Sequence, residues 1–363
     1  MSVSVKALCY GFGVTKLQAA VVAWFRAGHR AMPWREARDP YAIWVSEIML
    51  QQTQVKAVIP YWERWMARFP TVTALAEAPL DDVLQHWSGL GYYARARNLH
   101  LAAKDVQATY GGSLPRTAAE LRQLRGIGPY TAGAVASIAF GEAAPILDGN
   151  VARVLSRVFV VDGPPDAAAT KKRLWDLAAE LVPTEAASDF NQGLMELGAT
   201  VCVPENPRCL LCPLRGFCGG LEAGRVAELP AKKRKKPPRE LDAVAVLVER
   251  GQTVFHLRRP PDGLWGGLWE PPWVELDHGE DPADAAIRIL SGNGLTATDI
   301  QWVGEHTHQL THRTIRFSVF MATAEGQPVG DDIRWLEPTA KVGVAAWTRT
   351  LIETFVSGKR ARS

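Results

Sequence analysis

Apolar residues recur at helical spacing through the first two thirds of the chain. "LQAAVVAWF" (17–25), "IWVSEIMLQQTQV" (43–55), "LRQLRGIGPYTAGAVASIAF" (121–140) and "NVARVLSRVFVV" (150–161) each place apolar side chains at i, i+3 and i+4. Turn signals such as "GLGYY" (89–93) and "YGGSLP" (110–115) separate them. From Leu241 the pattern changes. "LDAVAVLVERGQTVFHLRR" (241–259) reads as two β-rich runs joined at "ERGQ", a hairpin signal. "WGGLWEPPW" (265–273) is an aromatic loop, "PADAAIRILSGNGL" (282–295) a short helix ending at glycine, and "HRTIRFSVFMATA" (312–324) a further strand. The pattern predicts a mainly α region over 1–228 and an α+β domain over 241–357. Between them "LPAKKRKKPPRE" (229–240) reads as an exposed basic, proline-containing linker, either a solvated connector or a strap against phosphates. Residues 358–363 form a basic tail.

Composition adds little to this picture. At 363 residues the chain is long enough for two domains, and 47% hydrophobic with 22% charged residues is ordinary for a globular protein. A net charge of +3 permits nucleic-acid binding without arguing for it. No run of eighteen apolar residues predicts a membrane span, and the N-terminus lacks the pattern of a signal peptide, so a cytoplasmic location is expected.

Cysteine usage changes the picture more. Four of the five cysteines, Cys202, Cys209, Cys212 and Cys218, fall in seventeen residues as C-x6-C-x2-C-x5-C. A reducing compartment disfavours disulfides. Structural zinc usually shows two separated C-x2-C pairs, and this loop has one. Four cysteines at short, unequal spacing suit an iron–sulfur cluster better, with zinc as the alternative. Cys9 reads as a small apolar residue.

Two carboxylates stand out. "DPYAIWVSEIMLQQTQV" (39–55) starts with a capping Asp39 and Pro40 at the first helical position. Tyr41, Trp44, Val45, Ile48, Met49 and Gln52 form one stripe, and Glu47 lies on another face beside Ile43 and Leu50. A helix apolar nearly all round is buried. Its glutamate either pairs with a core arginine or holds a proton near neutral pH because burial disfavours its charge. In "PILDGNVARVL" (145–155), Asn150 can cap the following helix. Asp148 sits just before it, either as a turn residue or where the helix dipole keeps it ionised. Carboxylates pushed apart in this way are what acid-plus-anion chemistry on a glycosidic bond requires. Upstream, "LRGIGPY" ends one helix near Arg125 and starts another at Pro129, and Gly126 and Gly128 between them read as a tight helix–helix turn or as a hairpin whose backbone amides meet a phosphate.

Hairpin, aspartate and cysteine loop, in that order, resemble the helix–hairpin–helix DNA glycosylases of the endonuclease III superfamily. "MPWR" (32–35), "SEIMLQQTQV" (46–55), "GLGYYARARNLH" (89–100), "GIGPYTAGAV" (126–135), "PILDGNVARVL", "MELG" (195–198) and the cysteine loop together resemble the MutY family of adenine DNA glycosylases. The resemblance is dense over 17–220 and weaker through the C-terminal domain, which is similar to that family's Nudix-like recognition domain. It implies removal of adenine opposite 8-oxoguanine or guanine in double-stranded DNA by a bacterial cytoplasmic, nucleoid-associated monomer. Carried onto this chain, Glu47 is the acid that protonates adenine N7 and Asp148 stabilises the oxocarbenium ion or captures it transiently. Asn150 orients the carboxylates, and Tyr130 lines the sugar pocket. Trp34, Arg35, Gln52 and Gln192 shape the adenine pocket, and Tyr92 wedges beside the orphaned 8-oxoguanine. Gly126 and Gly128 grip a phosphate, and Cys202, Cys209, Cys212 and Cys218 hold a [4Fe–4S] cluster. The loop around them either presents Arg208 and Arg215 to DNA phosphates or leaves them solvated. Relatives that also nick DNA carry lysine where this chain has Tyr130; a phenol forms no Schiff base, which implies a monofunctional enzyme.

The chain departs from the family in two places. Leu310, Thr311 and His312 stand where the family commonly has Phe-Ser-His against 8-oxoguanine, so a hydroxyl and an imidazole are kept and an aromatic surface is lost. The helix in "GEDPADAAIRILSGNGL" (279–295) lacks the glutamates of a magnesium site, so no pyrophosphohydrolase activity is expected.

Overall fold

The computed structural model describes residues 12–37, 39–232, 237–328 and 330–357. Cys9, most of the basic run of the linker (233–236) and the tail 358–363 lie outside the described residues. Contacts divide the chain into two compact units that are not contiguous in sequence. The first comprises Met1–Glu77 and Asn98–Arg234, the second Ala78–Arg97 and Lys235–Ser363.

The first unit is helical. One of its cores gathers Leu17 and Val21 from the Phe12–Ala27 helix, Val154 and Leu155 from Gly149–Val158, Leu174 from Ala168–Leu181, and Phe190, Leu194 and Leu197 from Ala187–Thr200. The Pro40–Leu50 helix starts as its sequence predicts, with the Asp39 carboxylate accepting from the amides of Tyr41 and Ala42 and with Pro40 in the first turn. Every residue from Tyr41 to Met49 is buried, as expected of a helix without a polar face. The helix stops at Leu50, and Gln52 adopts φ +58°. Gln52 is therefore not part of the stripe that the spacing suggests, because the backbone leaves the helix before reaching it.

Two further local expectations change. The helix before the hairpin spans only Ala118–Leu121, fixed by a reciprocal cap between Thr117 and Glu120, and ends before Arg125. The cap of the Gly149–Val158 helix is Asp148, whose carboxylate accepts from Val151 N at 2.7 Å; Asn150 lies inside the first turn. Both residue types cap helices well, and spacing alone does not choose between them. The hairpin itself requires glycine at position 126. Its φ is +73°, and a Cβ there would come within 2.7 Å of Asn98 Cβ. Gly128 then caps Pro129–Phe140, with Pro129 in the first turn as predicted.

The second unit is built on a seven-stranded mixed sheet. Its strands are β1 (Arg239–Arg250), β2 (Thr253–Arg258), β3 (Trp269–Glu270), β4 (Trp273–Glu275), β5 (Leu295–Gln309), β6 (Arg313–Gly326) and β7 (Ile333–Leu336). The main order is β3-β2-β1-β6-β5, with β4 on β1 and β7 on β2. β1 and β6 run parallel and the other pairs antiparallel. The β1–β2 hairpin turns at Gly251, as "ERGQ" predicts, and the Pro282–Gly292 helix packs its Ala285, Ala286, Ile289 and Leu290 onto the sheet. β5 carries no buried alternation over most of its length, which is why the sequence pattern does not mark it.

The segment Ala78–Arg97 belongs to this second unit through specific bonds. Asp81 accepts from Arg258 and Arg334, and the hydroxyls of Ser88 and Tyr93 donate to Val344 O.

Candidate active site

One cleft of about 870 Å³ in the first unit is lined by Trp34, Arg35, Glu47, Gln52, Tyr130, Asp148, Asn150 and Gln192. Eight positions singled out by sequence therefore meet, although the chain separates the first from the last by more than a hundred residues. Glu47 comes from the buried Pro40–Leu50 helix, Tyr130 from the first turn after the hairpin, and Asp148 and Asn150 from the start of Gly149–Val158.

Glu47 is 5% exposed, and among the described residues no arginine forms a salt bridge with it. Its Oε2 accepts from the Tyr130 hydroxyl at 2.7 Å. Burial pushes its carboxyl up to about 7; the Tyr130 hydrogen bond opposes this, the Asp148 charge adds to it, and the Arg35 charge opposes it. Of the two fates that the sequence leaves open, the structure realises the second: a carboxyl that carries a proton close to neutral pH. The Tyr130 phenol is raised well above its ordinary value, by burial and then by the Glu47 and Asp148 charges, and stays protonated.

Asp148 is bound at both oxygens. Oδ1 accepts from Val151 N at 2.7 Å and Oδ2 from Asn150 Nδ2 at 3.0 Å. Burial raises its carboxyl above the ordinary value, against the expectation from the helix terminus alone, while these donors and the Arg153 charge pull the other way. Asn150 is itself fixed: its Oδ1 accepts from Arg153 Nη2 at 2.9 Å, and a Cβ on Gly198 would lie 2.6 Å from Asn150 Cβ, so only glycine allows this approach. Arg153 also donates to Gly198 O and, at 2.7 Å, to Cys202 O. A continuous set of hydrogen bonds thus joins Asp148 to the first residue of the cysteine loop.

The cleft holds groups that the sequence reading passes over. Arg30, Met195 and Glu196 line it as well. Glu196 stands in "MELG", but its helix face also holds Gln192 and Thr200, so the apolar surround that picks out Glu47 is missing there.

Cys202, Cys209, Cys212 and Cys218 all line one small cavity beside Val154, Arg157 and Leu197. None of the four is joined in a disulfide among the described residues. Burial pushes the Cys212 thiol up to about 11, and the neighbouring cysteine sulfurs add to the rise. Arg157, 2% exposed, ties the start of the loop to the chain beyond it: it donates to Cys202 Sγ, Val203 O, Pro204 O and Leu229 O. Among the described residues no three His, Cys, Asp or Glu side chains are grouped closely enough for a single ion. Four cysteines lining one cavity are a donor set that a [4Fe–4S] cluster can take, one cysteine to each iron. Arg208 and Arg215 are exposed on this loop, and Gly126 and Gly128 are exposed at the hairpin.

In the second unit Tyr92 is 45% exposed, with φ +50°, and its hydroxyl lies 2.6 Å from the Thr311 hydroxyl. Arg95 stacks between the rings of Trp87 and Tyr92 and donates to Leu90 O and Gly91 O, which fixes the loop that carries Tyr92. Leu310, Thr311 and His312 form the β5–β6 turn, closed by Leu310 N donating to Arg313 O at 2.8 Å. Glu280, near the place a Nudix enzyme would put its glutamates, is engaged by Arg288 at 2.6 Å.

Comparison with known proteins agrees with this division. Residues 45–180 match the HhH-GPD superfamily of base excision DNA repair proteins, and residues 243–354 match the NUDIX domain. The human adenine DNA glycosylase is 37% identical over 89% of this chain and 70% of its own length. The adenine DNA glycosylase of Buchnera aphidicola subsp. Baizongia pistaciae is 34% identical over 81% of this chain and 82% of its own. Among solved structures, a thermostable thymine-DNA glycosylase superposes with a TM-score of 0.53 at 31% identity, covering 58% of this chain and 97% of that one. No helix among the described residues is long and apolar enough to cross a membrane. A protonatable buried glutamate facing a capped aspartate on a helix–hairpin–helix scaffold, followed by a Nudix-like sheet and matched over most of its length by these relatives, places the chain in the MutY family of adenine DNA glycosylases, base-excision-repair enzymes that hydrolyse N-glycosyl bonds in DNA.

Proposed function

We propose that this protein excises adenine opposite 8-oxoguanine or guanine in duplex DNA, by protonation of the base and stabilisation of the sugar cation. The observation that carries the reading is the pairing of Glu47, whose carboxyl titrates at about 7, with Asp148 in one cleft. Adenine is a poor leaving group as an anion, and Glu47 donates its proton to N7 so that the base leaves neutral. Positive charge then develops on the sugar, and the Asp148 carboxylate, held by Val151 N and Asn150, offsets it without reorganising. The Tyr130 hydroxyl donates to Glu47 Oε2 at 2.7 Å and so fixes the carboxyl in the cleft, and as a phenol it forms no Schiff base, which supports monofunctional chemistry. Trp34, Arg35, Gln52 and Gln192 wall the adenine site. Extruding a base costs a few kcal/mol, and Tyr92 is the exposed aromatic that offsets it beside the orphaned base, with Thr311 and His312 beside the lesion.

The likeness to a thymine-DNA glycosylase gives a second reading, a thymine or uracil mismatch enzyme. Pyrimidine loss has no N7 to protonate, so the raised Glu47 carboxyl favours adenine. Single-turnover excision on duplexes carrying A:8-oxoguanine, A:G, A:C and T:G decides between them. Adenine release from the first two is expected. Thymine release from T:G with intact A:8-oxoguanine would overturn the proposal.

Cys202, Cys209, Cys212 and Cys218 would hold a [4Fe–4S] cluster, which when bound supplies a covalent staple for the loop carrying Arg208 and Arg215. Purified protein is expected to contain iron and inorganic sulfide with a broad visible absorbance. Stoichiometric zinc in place of iron would refute this assignment.

A further inference from the structure

Glu196 lies on the Ala187–Thr200 helix, 2% exposed, at the wall of the cleft. Both of its oxygens are engaged by arginine. Oε1 accepts from Arg30 Nε at 2.7 Å, and Oε2 accepts from Arg30 Nη2 at 3.0 Å and Arg35 Nη2 at 2.9 Å. Arg35 is anchored a second time by donating from Nη1 to Arg30 O at 2.8 Å. Burial works to raise the Glu196 carboxyl, but the two guanidinium groups outweigh it and hold it below the ordinary value. Glu196 is therefore an anion buried between two cations. One of them, Arg35, is itself nearly enclosed, with 11% of its side chain exposed.

The same cleft contains Glu47, which must keep a proton to act as an acid. The charged and titratable groups that face it from the surrounding elements are few. Tyr130 approaches from the Pro129–Phe140 helix, and Asp148 from the start of the Gly149–Val158 helix. Arg35 comes from the Pro33–Ala37 helix, Arg30 from the loop before it, and Glu196 from the Ala187–Thr200 helix. Lys56, from the Val55–Arg68 helix, stands at the rim. Of these, Arg35 holds its positive charge in the nearly enclosed place and Arg30 adds a second, more exposed one, and a nearby cation favours the ionised form of a carboxyl. Without Glu196 those charges would face the cleft uncompensated.

We propose that Glu196 is a positioning residue that holds Arg30 and Arg35 in a bidentate clamp and cancels part of their charge, so that Arg35 can wall the adenine site without drawing the proton off Glu47. The inference rests on the reading of Glu47 as the acid. It extends that reading to what protects the acid from the cations needed for substrate recognition. A merely structural Glu196 would leave the pH dependence of the reaction where it is.

The test is the pH profile of single-turnover adenine excision on an A:8-oxoguanine duplex, with the full-length protein saturating the DNA. Wild type is expected to lose activity on an alkaline limb as Glu47 ionises. In Glu196→Gln the limb moves down by about one pH unit, a tenfold lower rate above it, with recovery towards the acid end. In Arg35→Gln, where Glu196 keeps Arg30, the limb moves up, whatever the absolute rate. Opposite shifts from the two members of one ion pair are not produced by loosened packing. A uniform loss in Glu196→Gln with an unmoved limb overturns the inference. If Glu196→Gln does not fold, as a thermal melt would reveal, the direction of the Arg35→Gln limb decides alone, and an unmoved limb overturns it. A wild-type profile with no alkaline limb would instead overturn the assignment of Glu47 as the acid.

Discussion

Glu47→Gln protein is expected to excise adenine about 10²–10⁴-fold more slowly than wild type, the range over which a positioned general acid contributes, while binding the mispaired duplex as before. Glutamine preserves the volume and can still accept from the Tyr130 hydroxyl, so the helix and the cleft keep their shape. Only the transferable proton is lost. Equal single-turnover rates for mutant and wild type would remove Glu47 from the mechanism. The same substitution is expected to stabilise the protein at alkaline pH. The Glu47 carboxyl is raised on folding from 4.5 to about 7, so wild type bears no penalty below the unfolded value, loses stability as pH rises through this window, and bears the full cost above it. At about 1.4 kcal/mol per unit this is on the order of 3 kcal/mol, which glutamine avoids. A melting temperature for Glu47→Gln at pH 8.5 at or below that of wild type would contradict the burial argument.

Asp148→Asn should also leave a folded, DNA-binding and inactive protein, with excision about 10²–10³-fold slower, as when one preorganised electrostatic contact is removed. Asparagine caps helices about as well as aspartate. It can therefore keep the bond from Val151 N, and the Gly149–Val158 helix should lose little stability. What disappears is the negative charge opposite the developing sugar cation. Fluorescence titration with uncleaved duplex, next to single-turnover rates, separates the two effects. Weakened binding with unchanged chemistry would show that Asp148 is only a cap.

The parts of this site that were legible in the sequence are those set by local rules. Asp39, Pro40 and an unbroken apolar surface define the Glu47 helix and its burial, because capping and periodicity act within a few residues. Gly126 is legible for the same reason, since a left-handed turn against a neighbouring helix leaves no room for a side chain. Resemblance to known sequences supplied the convergence of Trp34, Glu47, Tyr130, Asp148 and Gln192 on one cleft, which no local rule reaches. Where two residues of the same chemistry compete, as Asp148 and Asn150 do for one cap, spacing does not choose. Gln52 was misplaced because helical periodicity has no means of registering that the helix has ended. The Arg30–Glu196–Arg35 clamp and the Arg153 bonds to Asn150 and Cys202 were not legible, because each joins elements brought together only by the fold.

The assignment of Ala78–Arg97 to the second unit has a practical outcome for dissecting the molecule. A cut at the basic linker looks like the natural way to separate catalysis from recognition, yet it would strand Asp81 from Arg258 and Arg334 and Tyr92 from Thr311. Neither fragment would hold Tyr92 in its native surroundings. A library that shuffles C-terminal domains among relatives would need to carry this twenty-residue insert along with the sheet, as one heritable block.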